Sequence, residues 1–261
     1  MRGPAAGVIA RPCEQAMKAV EIHNLSYTYP DGTDALTEVS LSIEKGETFG
    51  LIGPNGAGKS TLLLHLSGIL GDGSAVKVMG KPVSDGGDRV PGSGIGLVFQ
   101  NPEDQLFMPR VFDDVAFGAL NQGYGPDEVR EKVSAALAAV GMTGYEDKAP
   151  HHLSIGQKKR VAIATVLVMD TTILALDEPT SGLDPRGRRE FMDLVMRLDC
   201  TRIIASHDLE MTLEVCDRVA LLDGGRLIAE GRPRSLLADA QLMESHGLEV
   251  PASLRARGEG C

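Results

Sequence analysis

A glycine-rich stretch near residue 55 shows the clearest chemical pattern in the sequence. It fits the pattern G-x-x-x-x-G-K-[ST] over its whole length, with the residues Gly53, Pro54, Asn55, Gly56, Ala57, Gly58, Lys59 and Ser60. Glycines let the backbone curl so tightly that successive N–H groups point at phosphate oxygens. In such a loop the lysine, here Lys59, contacts the β- and γ-phosphates, and the Ser60 hydroxyl binds Mg²⁺. The pattern therefore predicts a site for a nucleoside triphosphate and its magnesium ion.

A pair of carboxylates follows a short apolar run later in the chain. Residues 173–176 are all apolar and lead directly into Asp177 and Glu178, after which Pro179 ends the run. A buried strand that ends in this way is expected to carry Asp177 to the magnesium ion. Because neighbouring side chains on a strand point to opposite faces, we expect Glu178 to face the attacking water, as its base or as an orienting group.

A third segment, at residues 153–157, is predicted to begin a helix with Ser154 as its N-cap. Lys158, Lys159 and Arg160 then occupy the first turn. Cations at this end of a helix oppose the helix dipole, and a helix with a purely structural role would not favour them. The sequence therefore predicts that this helix start meets phosphate.

The arrangement of elements indicates an α/β domain. Short apolar runs with helical pattern between them are typical of a largely parallel sheet, whereas the alternating pattern of residues 20–43 predicts an antiparallel pair. Residues 101–165 are mainly helical, and the helix that opens at Pro126 places one apolar face inward, formed by Val129, Val133, Leu137 and Val140. The other predicted elements are strands at 48–52, 94–99, 173–176 and 202–205, a helix at 59–70 and a hairpin at 219–229.

Composition excludes several classes of function. Of the 261 residues, 26 are Lys or Arg and 36 are Asp or Glu, which gives a net charge of −10. That balance argues against a nucleic-acid binder and against direct adhesion to anionic lipid. The longest apolar run, at residues 161–169, is far shorter than the roughly 20 residues of a membrane-spanning helix. Four cysteines without a C-x-x-C spacing indicate reduced thiols rather than a disulfide framework or a zinc site.

Taken together, these segments closely resemble the ABC transporter ATPases over residues 18–232. The resemblance implies a P-loop NTPase fold with a mixed, mainly parallel sheet, an N-terminal antiparallel β subdomain and an inserted helical subdomain at about 101–168. Residues 1–17 are then expected to be a disordered extension, and residues 233–261 a helical tail with a frayed end after Pro251.

The same resemblance assigns roles to further residues. Tyr29 matches the aromatic residue that stacks on adenine, with Tyr27 as the competing assignment, and Thr61 joins the ATP-binding residues. Gln100 matches a glutamine that touches Mg²⁺ and relays contact with a membrane subunit. His207 matches the histidine that holds the γ-phosphate, and the loop at 181–184 matches one that crosses to a second subunit.

The family works as a head-to-tail pair that holds two ATP molecules between its subunits. The resemblance implies that each site combines two sets of residues from different chains. One chain supplies the phosphate loop with Asp177, Glu178, Gln100 and His207, and the other supplies Ser154, Gly156 and Gln157. Whether the second chain is another copy or a paralogue stays open. Ile155 stands where relatives commonly carry glycine, and we expect it to affect the rate without inactivating the site.

Several stretches are similar to the energy-coupling-factor importers within this family, and they lie at 27–33, 98–107, 183–188 and 246–251. Segments 150–154, 178–182 and 205–210 look most like the cobalt and nickel branch. This resemblance implies a peripheral subunit on the cytoplasmic face of the membrane, bound to integral coupling and substrate-binding subunits and without contact to the transported ion. The alternatives are vitamin uptake, or a soluble cassette ATPase of cofactor assembly.

Two local features carry smaller expectations. Met108, Val111 and Phe112 lie near Gln100 and are candidates either for a groove that receives a coupling helix or for plain core packing. His151 and His152 are adjacent on one short segment, where two side chains seldom chelate one ion, and a structural or interface role is favoured.

Overall fold

The computed structural model describes residues 17–71, 74–83 and 94–255. The strands in these ranges are β1 (Lys18–Thr28), β2 (Asp34–Glu44), β3 (Thr48–Ile52), β4 (Val76–Val78), β5 (Lys81–Pro82), β6 (Ile95–Val98), β7 (Ile173–Asp177), β8 (Thr201–Ala205), β9 (Arg218–Asp223) and β10 (Arg226–Gly231). The α-helices are α1 (Lys59–Leu66), α2 (Val111–Asn121), α3 (Pro126–Ala139), α4 (Ile155–Leu167), α5 (Pro185–Arg197), α6 (Leu209–Val215), α7 (Pro233–Leu237), α8 (Ala240–Ser245) and α9 (Ala252–Arg255).

An antiparallel sheet opens the domain, with the strand order β2-β1-β4-β5. Strands β1 and β2 are joined by a tight turn in which Gly32 has a φ of +88° and its N–H donates to the Tyr29 carbonyl. Such a φ suits glycine. The predicted antiparallel pair over residues 20–43 is confirmed.

The second sheet has the order β10-β9-β3-β8-β7-β6, in which β9, β3, β8, β7 and β6 run parallel and β10 returns antiparallel to β9. Every residue of β3 and β8 is buried. Strands covered on both faces need such continuous apolar runs, which is why the sequence shows little alternation here. The predicted mixed, mainly parallel sheet is confirmed.

Helices α2, α3 and α4 lie in the chain between β6 and β7 and pack on one another through a shared core. The predicted inward face of α3 is buried throughout, at Val129, Val133, Leu137 and Val140. Pro126 occupies the first turn of α3, where its missing N–H costs nothing. The predicted helix is confirmed, and it ends at Ala139.

The structure corrects two predicted boundaries. Helix α1 ends at Leu66 rather than at residue 70, because Gly68 already adopts a φ of +69° and ends the helix before Gly71. The tail is helical beyond Pro251 as well. Helix α9 is held there by Ser253, whose backbone N–H donates to Glu210 Oε1 at 3.0 Å. Residues 1–16 of the predicted extension and the chain end after Arg255 lie outside the described residues, whereas the Met17 carbonyl accepts the Lys45 N–H at 2.8 Å.

Among the described residues, no helix combines the length and the apolar character that crossing a bilayer requires. Cys200 and Cys216 are free thiols, and burial raises the pKa of the Cys216 thiol to about 12. Cys13 and Cys261 lie outside the described ranges.

Candidate nucleotide-binding site

Parallel pairing brings the carboxyl ends of β3, β6, β7 and β8 to one edge of the sheet. Leu51 and Asp177 both pair with Ala205, and Val98 pairs with Leu176. The residues that follow these strands therefore lie together, and they are the phosphate loop, Gln100, Glu178 and His207. In open α/β sheets, ligands bind at this edge.

Two glycines of the phosphate loop, Gly53 and Gly58, have no room for a side chain. Gly53 has a φ of +150°, and a Cβ atom there would lie 2.0 Å from the Leu222 carbonyl oxygen. Gly58 has a φ of +100°, and a Cβ atom there would lie 2.5 Å from the Ala35 carbonyl oxygen. The loop therefore keeps its curled form because β9 and β2 close on it. This glycine cradle fits a phosphate chain.

The Lys59 ammonium lies across the same loop. Its Nζ donates to the Gly53 carbonyl at 2.7 Å and to the Pro54 carbonyl at 2.9 Å. Burial lowers the pKa of Lys59, while the charges of Glu178 and Asp177 act in the opposite direction. A half-desolvated cation held over a curled loop is well placed to contact phosphate oxygens.

Asp177 and Ser60 form the inner part of the site. Burial raises the pKa of Asp177, and the hydrogen bond from the Ser60 hydroxyl is the main effect that opposes the rise. Gln100 stands exposed at the end of the neighbouring strand. The hydroxyl, carboxylate and amide oxygens are all hard ligands of the kind that Mg²⁺ prefers, so this donor set fits the ion.

Glu178 turns away from Asp177 and faces His207. Its Oε1 accepts the His207 backbone N–H at 3.0 Å, and its Oε2 lies 2.8 Å from His207 Nδ1. The Ser206 hydroxyl also donates to Oε2, at 3.2 Å. Glu178 has a φ of +43°, an uncommon value for a residue with a side chain and one that is found preferentially at functional sites. Sequence reasoning missed Ser206.

Tyr29 and Tyr27 differ in what they contact. The Tyr29 hydroxyl lies 3.1 Å from Thr61 Oγ1 in the helix that follows the phosphate loop. The Tyr27 ring packs instead on His65, with the ring centroids 4.5 Å apart, and supports the Tyr29 ring from behind at 5.0 Å. This geometry favours Tyr29 as the residue nearer to a bound nucleotide.

The start of α4 lies in a different part of the surface. The Gln157 backbone N–H donates to Ser154 Oγ, and the Ser154 N–H donates to Gln157 Oε1, which forms a reciprocal capping box. The predicted N-cap is confirmed. Ser154, Gly156 and Gln157 line a cleft of about 500 Å³ together with Gly182 and other residues, none of which belongs to the phosphate loop.

Comparisons with known proteins agree with this geometry. The family model for ABC transporters matches residues 36–181.

The chain belongs to the ABC transporter family.

It is an ATPase of that family, whose members couple ATP hydrolysis to transport. The chain is 49% identical over 236 residues to a putative ABC transporter ATP-binding protein of Gloeobacter violaceus, covering 89% of this chain and 97% of that protein. It is 48% identical over 244 residues to the energy-coupling factor transporter ATP-binding protein EcfA of Methanothermobacter thermautotrophicus, covering 89% and 76%. The solved structure of CbiO1 from Clostridium perfringens, part of the ABC transporter complex CbiONQ, has a TM-score of 0.74 and 39% identity, covering 92% of this chain and 99% of that one.

The cations at the start of α4 in this ABC ATPase have partners other than phosphate. Lys158 forms an ion pair with Glu103, and Lys159 is 2% exposed. The Lys159 Nζ donates to the backbone carbonyls of Gln100 and Glu178. Arg160 forms an ion pair with Glu190. Because all three cations have partners in their own chain, they do not by themselves indicate phosphate, and a phosphate contact at this helix start stays a prediction.

Near Gln100, some apolar residues pack in the core and others line an open cleft. Val111 is fully buried and belongs to the core, and Phe112 packs against that core. Phe107 and Phe117 are instead exposed, with ring centroids 5.3 Å apart, and they line a cleft of about 540 Å³. Core packing, one of the two alternatives, therefore holds for Val111 and Phe112, because α2 turns Val111 inward and Phe117 outward.

Asp114 is a buried carboxylate at the same cleft. It is 3% exposed, and its Oδ1 accepts the backbone N–H groups of Phe107 and Met108. Its Oδ2 has no hydrogen-bond partner among the described residues. Burial raises the pKa of Asp114, although the two backbone donors oppose the rise.

His151 and His152 are exposed, and their rings contact each other at a centroid distance of 4.2 Å. In the described part of the chain, no group of three or more His, Cys, Asp and Glu side chains is arranged to hold a metal ion. A structural or interface role for the two histidines stays a prediction.

Proposed function

We propose that this chain is the ATP-hydrolysing subunit of an energy-coupling-factor importer for cobalt or nickel ions. The observation that carries the enzymatic part is the meeting of the phosphate loop, Asp177, Glu178 and His207 at one sheet edge. The importer part is supported by two relatives. One is named an energy-coupling factor transporter ATP-binding protein, and the other is part of the complex CbiONQ.

ATP binding is proposed to use the groups nearest the glycine cradle. The adenine ring stacks on Tyr29, and the phosphates meet the loop N–H groups and Lys59. The remaining loop residues and the residue after them complete the contact surface, namely Gly53, Pro54, Asn55, Gly56, Ala57, Gly58 and Thr61. Ser60, Asp177 and Gln100 hold Mg²⁺, which neutralises charge on the β- and γ-phosphates when it is bound.

Hydrolysis is proposed to depend on Glu178. A carboxylate offers about four acceptor positions, and in Glu178 three of them face the Ser206 hydroxyl, the His207 backbone N–H and the His207 ring Nδ1. The fourth is left for the attacking water, which Glu178 orients and whose proton it takes. The His207 ring is 65% exposed and is aligned by Glu178, so that it can also reach the γ-phosphate.

The second half of each site is proposed to come from another chain. Among the described residues, a Cβ atom at Gly156 would meet only Leu183, at an ordinary 3.6 Å, so none of them requires glycine there. Ser154, Gly156 and Gln157 lie at a surface cleft, and Ile155 is 40% exposed. We infer that these residues approach the γ-phosphate of ATP in a partner, which is a second copy or a paralogue.

Membrane subunits are proposed to dock at the cleft between Phe107 and Phe117. The two rings present an exposed apolar surface, and Gln105 links this cleft to α4 through its hydrogen bond to the Ala162 carbonyl at 2.9 Å. A helix with an apolar face would fit here. The subunit would then lie on the cytoplasmic face of the membrane, and the transported ion would pass only through the membrane subunits.

Affinity purification of a tagged Glu178→Gln variant from detergent-solubilised native membranes tests the proposal. ATP is kept present, and the co-purified proteins are identified by mass spectrometry. We expect two or more polytopic membrane proteins and a substrate subunit that binds cobalt or nickel. A vitamin-binding subunit would overturn the ion assignment but keep the importer. The recovery of soluble proteins only would overturn the transport assignment and leave a cassette ATPase of cofactor assembly.

The docking surface has its own matched test. Phe117→Ser is expected to remove the membrane subunits from the purified material, whereas Ile228→Ser serves as the control, since Ile228 is similarly exposed, at 37%, but lies on β10. Equal recovery of membrane subunits with both variants would contradict the proposed cleft.

A further inference from the structure

Lys159 is a buried cation in the middle of the site that no part of the proposed mechanism uses. It is the fifth residue of α4, and only 2% of its surface is exposed. A charge in such a place is costly unless it is paired and hydrogen-bonded. The side chain is therefore expected to serve a purpose that an apolar residue of the same length could not.

The two acceptors of this lysine are both backbone carbonyls of proposed site residues. Its Nζ donates to the Gln100 carbonyl at 3.0 Å and to the Glu178 carbonyl at 3.4 Å. These residues follow neighbouring strands, β6 and β7, and no other contact of this kind joins them in the described part of the chain. The ammonium thus ties the two strand ends to each other and to α4.

Backbone geometry explains why Glu178 needs such a tie. Its φ of +43° turns its peptide groups away from regular strand geometry, and this conformation lasts only where neighbouring contacts hold it. The Glu178 N–H is held by the Ala205 carbonyl at 2.9 Å, and the Glu178 carbonyl by Lys159. The Glu178 backbone is thus held at both its N–H and its carbonyl group.

Electrostatics supports the same assignment. Burial lowers the pKa of Lys159, while the charges of Glu178 and Asp177 raise it. The two carboxylates also act on Lys59 in the same way. Two ammonium groups therefore balance two carboxylates in the partly desolvated site, one from the phosphate loop and one from α4.

We propose that Lys159 is a positioning residue for ATP hydrolysis. Through its two hydrogen bonds it fixes the backbone positions of Gln100 and Glu178 relative to α4, the helix whose start lines the cleft that contains Ser154. The inference rests on the proposed roles of Glu178 and Gln100. Along α4, Lys159 lies only about 6 Å from the helix start, so a shift of that start would move it directly.

Steady-state ATPase kinetics of the complex purified with its native partners test this role. In Lys159→Met the side chain keeps its length but loses its charge and its donors. We expect kcat to fall at least tenfold while the KM for ATP changes less than threefold, because the phosphate loop is untouched. Lys159→Gln, which keeps a donor, is expected to retain more kcat than Lys159→Met.

Lys158→Met is the matched control, since it removes the neighbouring cation and its ion pair with Glu103. Its kcat is expected to stay within twofold of the parent. The proposal is overturned if Lys159→Met keeps the parental kcat, if it raises KM as much as it lowers kcat, or if Lys158→Met loses as much activity. If Lys159→Met does not fold, the same criteria apply to Lys159→Gln. A Glu178→Gln variant with parental turnover would instead overturn the proposed role of Glu178.

Discussion

Gly53 and Gly156 are both proposed to lie against phosphate, yet the chain around them differs. Gly53 is forced to be glycine by its own chain, since a Cβ atom there would clash with the Leu222 carbonyl oxygen. Gly156 has space for a side chain and lies in the first turn of a helix, where glycine costs about 0.5–1 kcal/mol relative to alanine. The phosphate-loop half of the site is therefore explained within one chain. The α4 half is explained only by something that approaches from outside.

The polar groups repeat this difference. Lys59 and Glu178 already have hydrogen-bond partners in their own chain, and they lie close to one another in one buried cluster. Ser154 caps its own helix and otherwise lies at an open cleft. The α4 half alone offers few contacts to ATP, so it contributes only when a second chain brings a nucleotide to it.

Glu178→Gln gives the largest expected effect and tests the phosphate-loop half of the site. The variant is expected to lose turnover about 10³-fold, because it keeps the shape of the side chain but loses its base. ATP binding, measured by equilibrium dialysis, is expected to stay within threefold of the parent. Hydrolysis near the parental rate would show that the base lies elsewhere.

Gly156→Asp tests the α4 half of the site. An acidic residue is compatible with a helix N-terminus, so folding is expected to be retained, while its charge would repel a partner's phosphate. We expect turnover of the assembled complex to fall about 10²-fold and ATP binding by the isolated chain to stay unchanged.

Lys59→Ala serves as the opposite control. It is expected to weaken ATP binding by the isolated chain about 10- to 100-fold, through the loss of charge-assisted contacts to phosphate. If Gly156→Asp weakened that binding as strongly as Lys59→Ala, the two halves would not be separate.

Much of the phosphate-loop half could be predicted from sequence, because its residues are recognised by their neighbours in the sequence. The phosphate loop needs its glycines in a fixed order next to a strand, and Asp177 directly follows an apolar run. Lys159 could not be assigned in this way, because its partners lie 59 and 19 positions away in the chain. The exposed position of Phe117 was missed, and the two alternatives for Val111 stayed open, because only the packing of α2 decides which one is buried.

Ile155→Gly tests how closely the phosphate bound by a partner chain approaches the start of α4. Ile155 is 40% exposed at the α4 start, and its Cγ1 lies 3.8 Å from the place of a Cβ atom at Gly182. If this side chain only narrows the approach to a partner's phosphate, its removal is expected to change kcat less than tenfold. A gain above tenfold would mean that Ile155 severely limits the native site.

Asp114→Asn gives the smallest expected effect and extends the comparison to a third polar group that faces a cleft. Because burial raises the pKa of Asp114, the folded state holds its proton more firmly than the unfolded chain does. Its contribution to stability is therefore lost as pH rises through the folded-state pKa. Asparagine keeps the Oδ1 acceptor without the charge.

Relative to the parent, the free energy of unfolding of the variant is expected to rise as the pH increases above the unfolded-state pKa of about 3.9, because only the parent carries the titrating carboxyl. Urea unfolding of the isolated chain at several pH values measures it. Asp147→Asn, at a site 91% exposed, is the control and should change stability little. A difference in stability from the parent that does not change with pH would contradict the raised pKa of the Asp114 carboxyl.

Native mass spectrometry of the Glu178→Gln complex, purified with its partners in the presence of ATP, tests the division of the site most directly. We expect two ABC-type chains and two ATP molecules in each particle, and the second chain to be another copy or a paralogue. A Gly156→Asp substitution added to the same chain should reduce the retained ATP. A complex with the membrane subunits that contains only one ABC-type chain would contradict the account, since the α4 half would then have no site to complete.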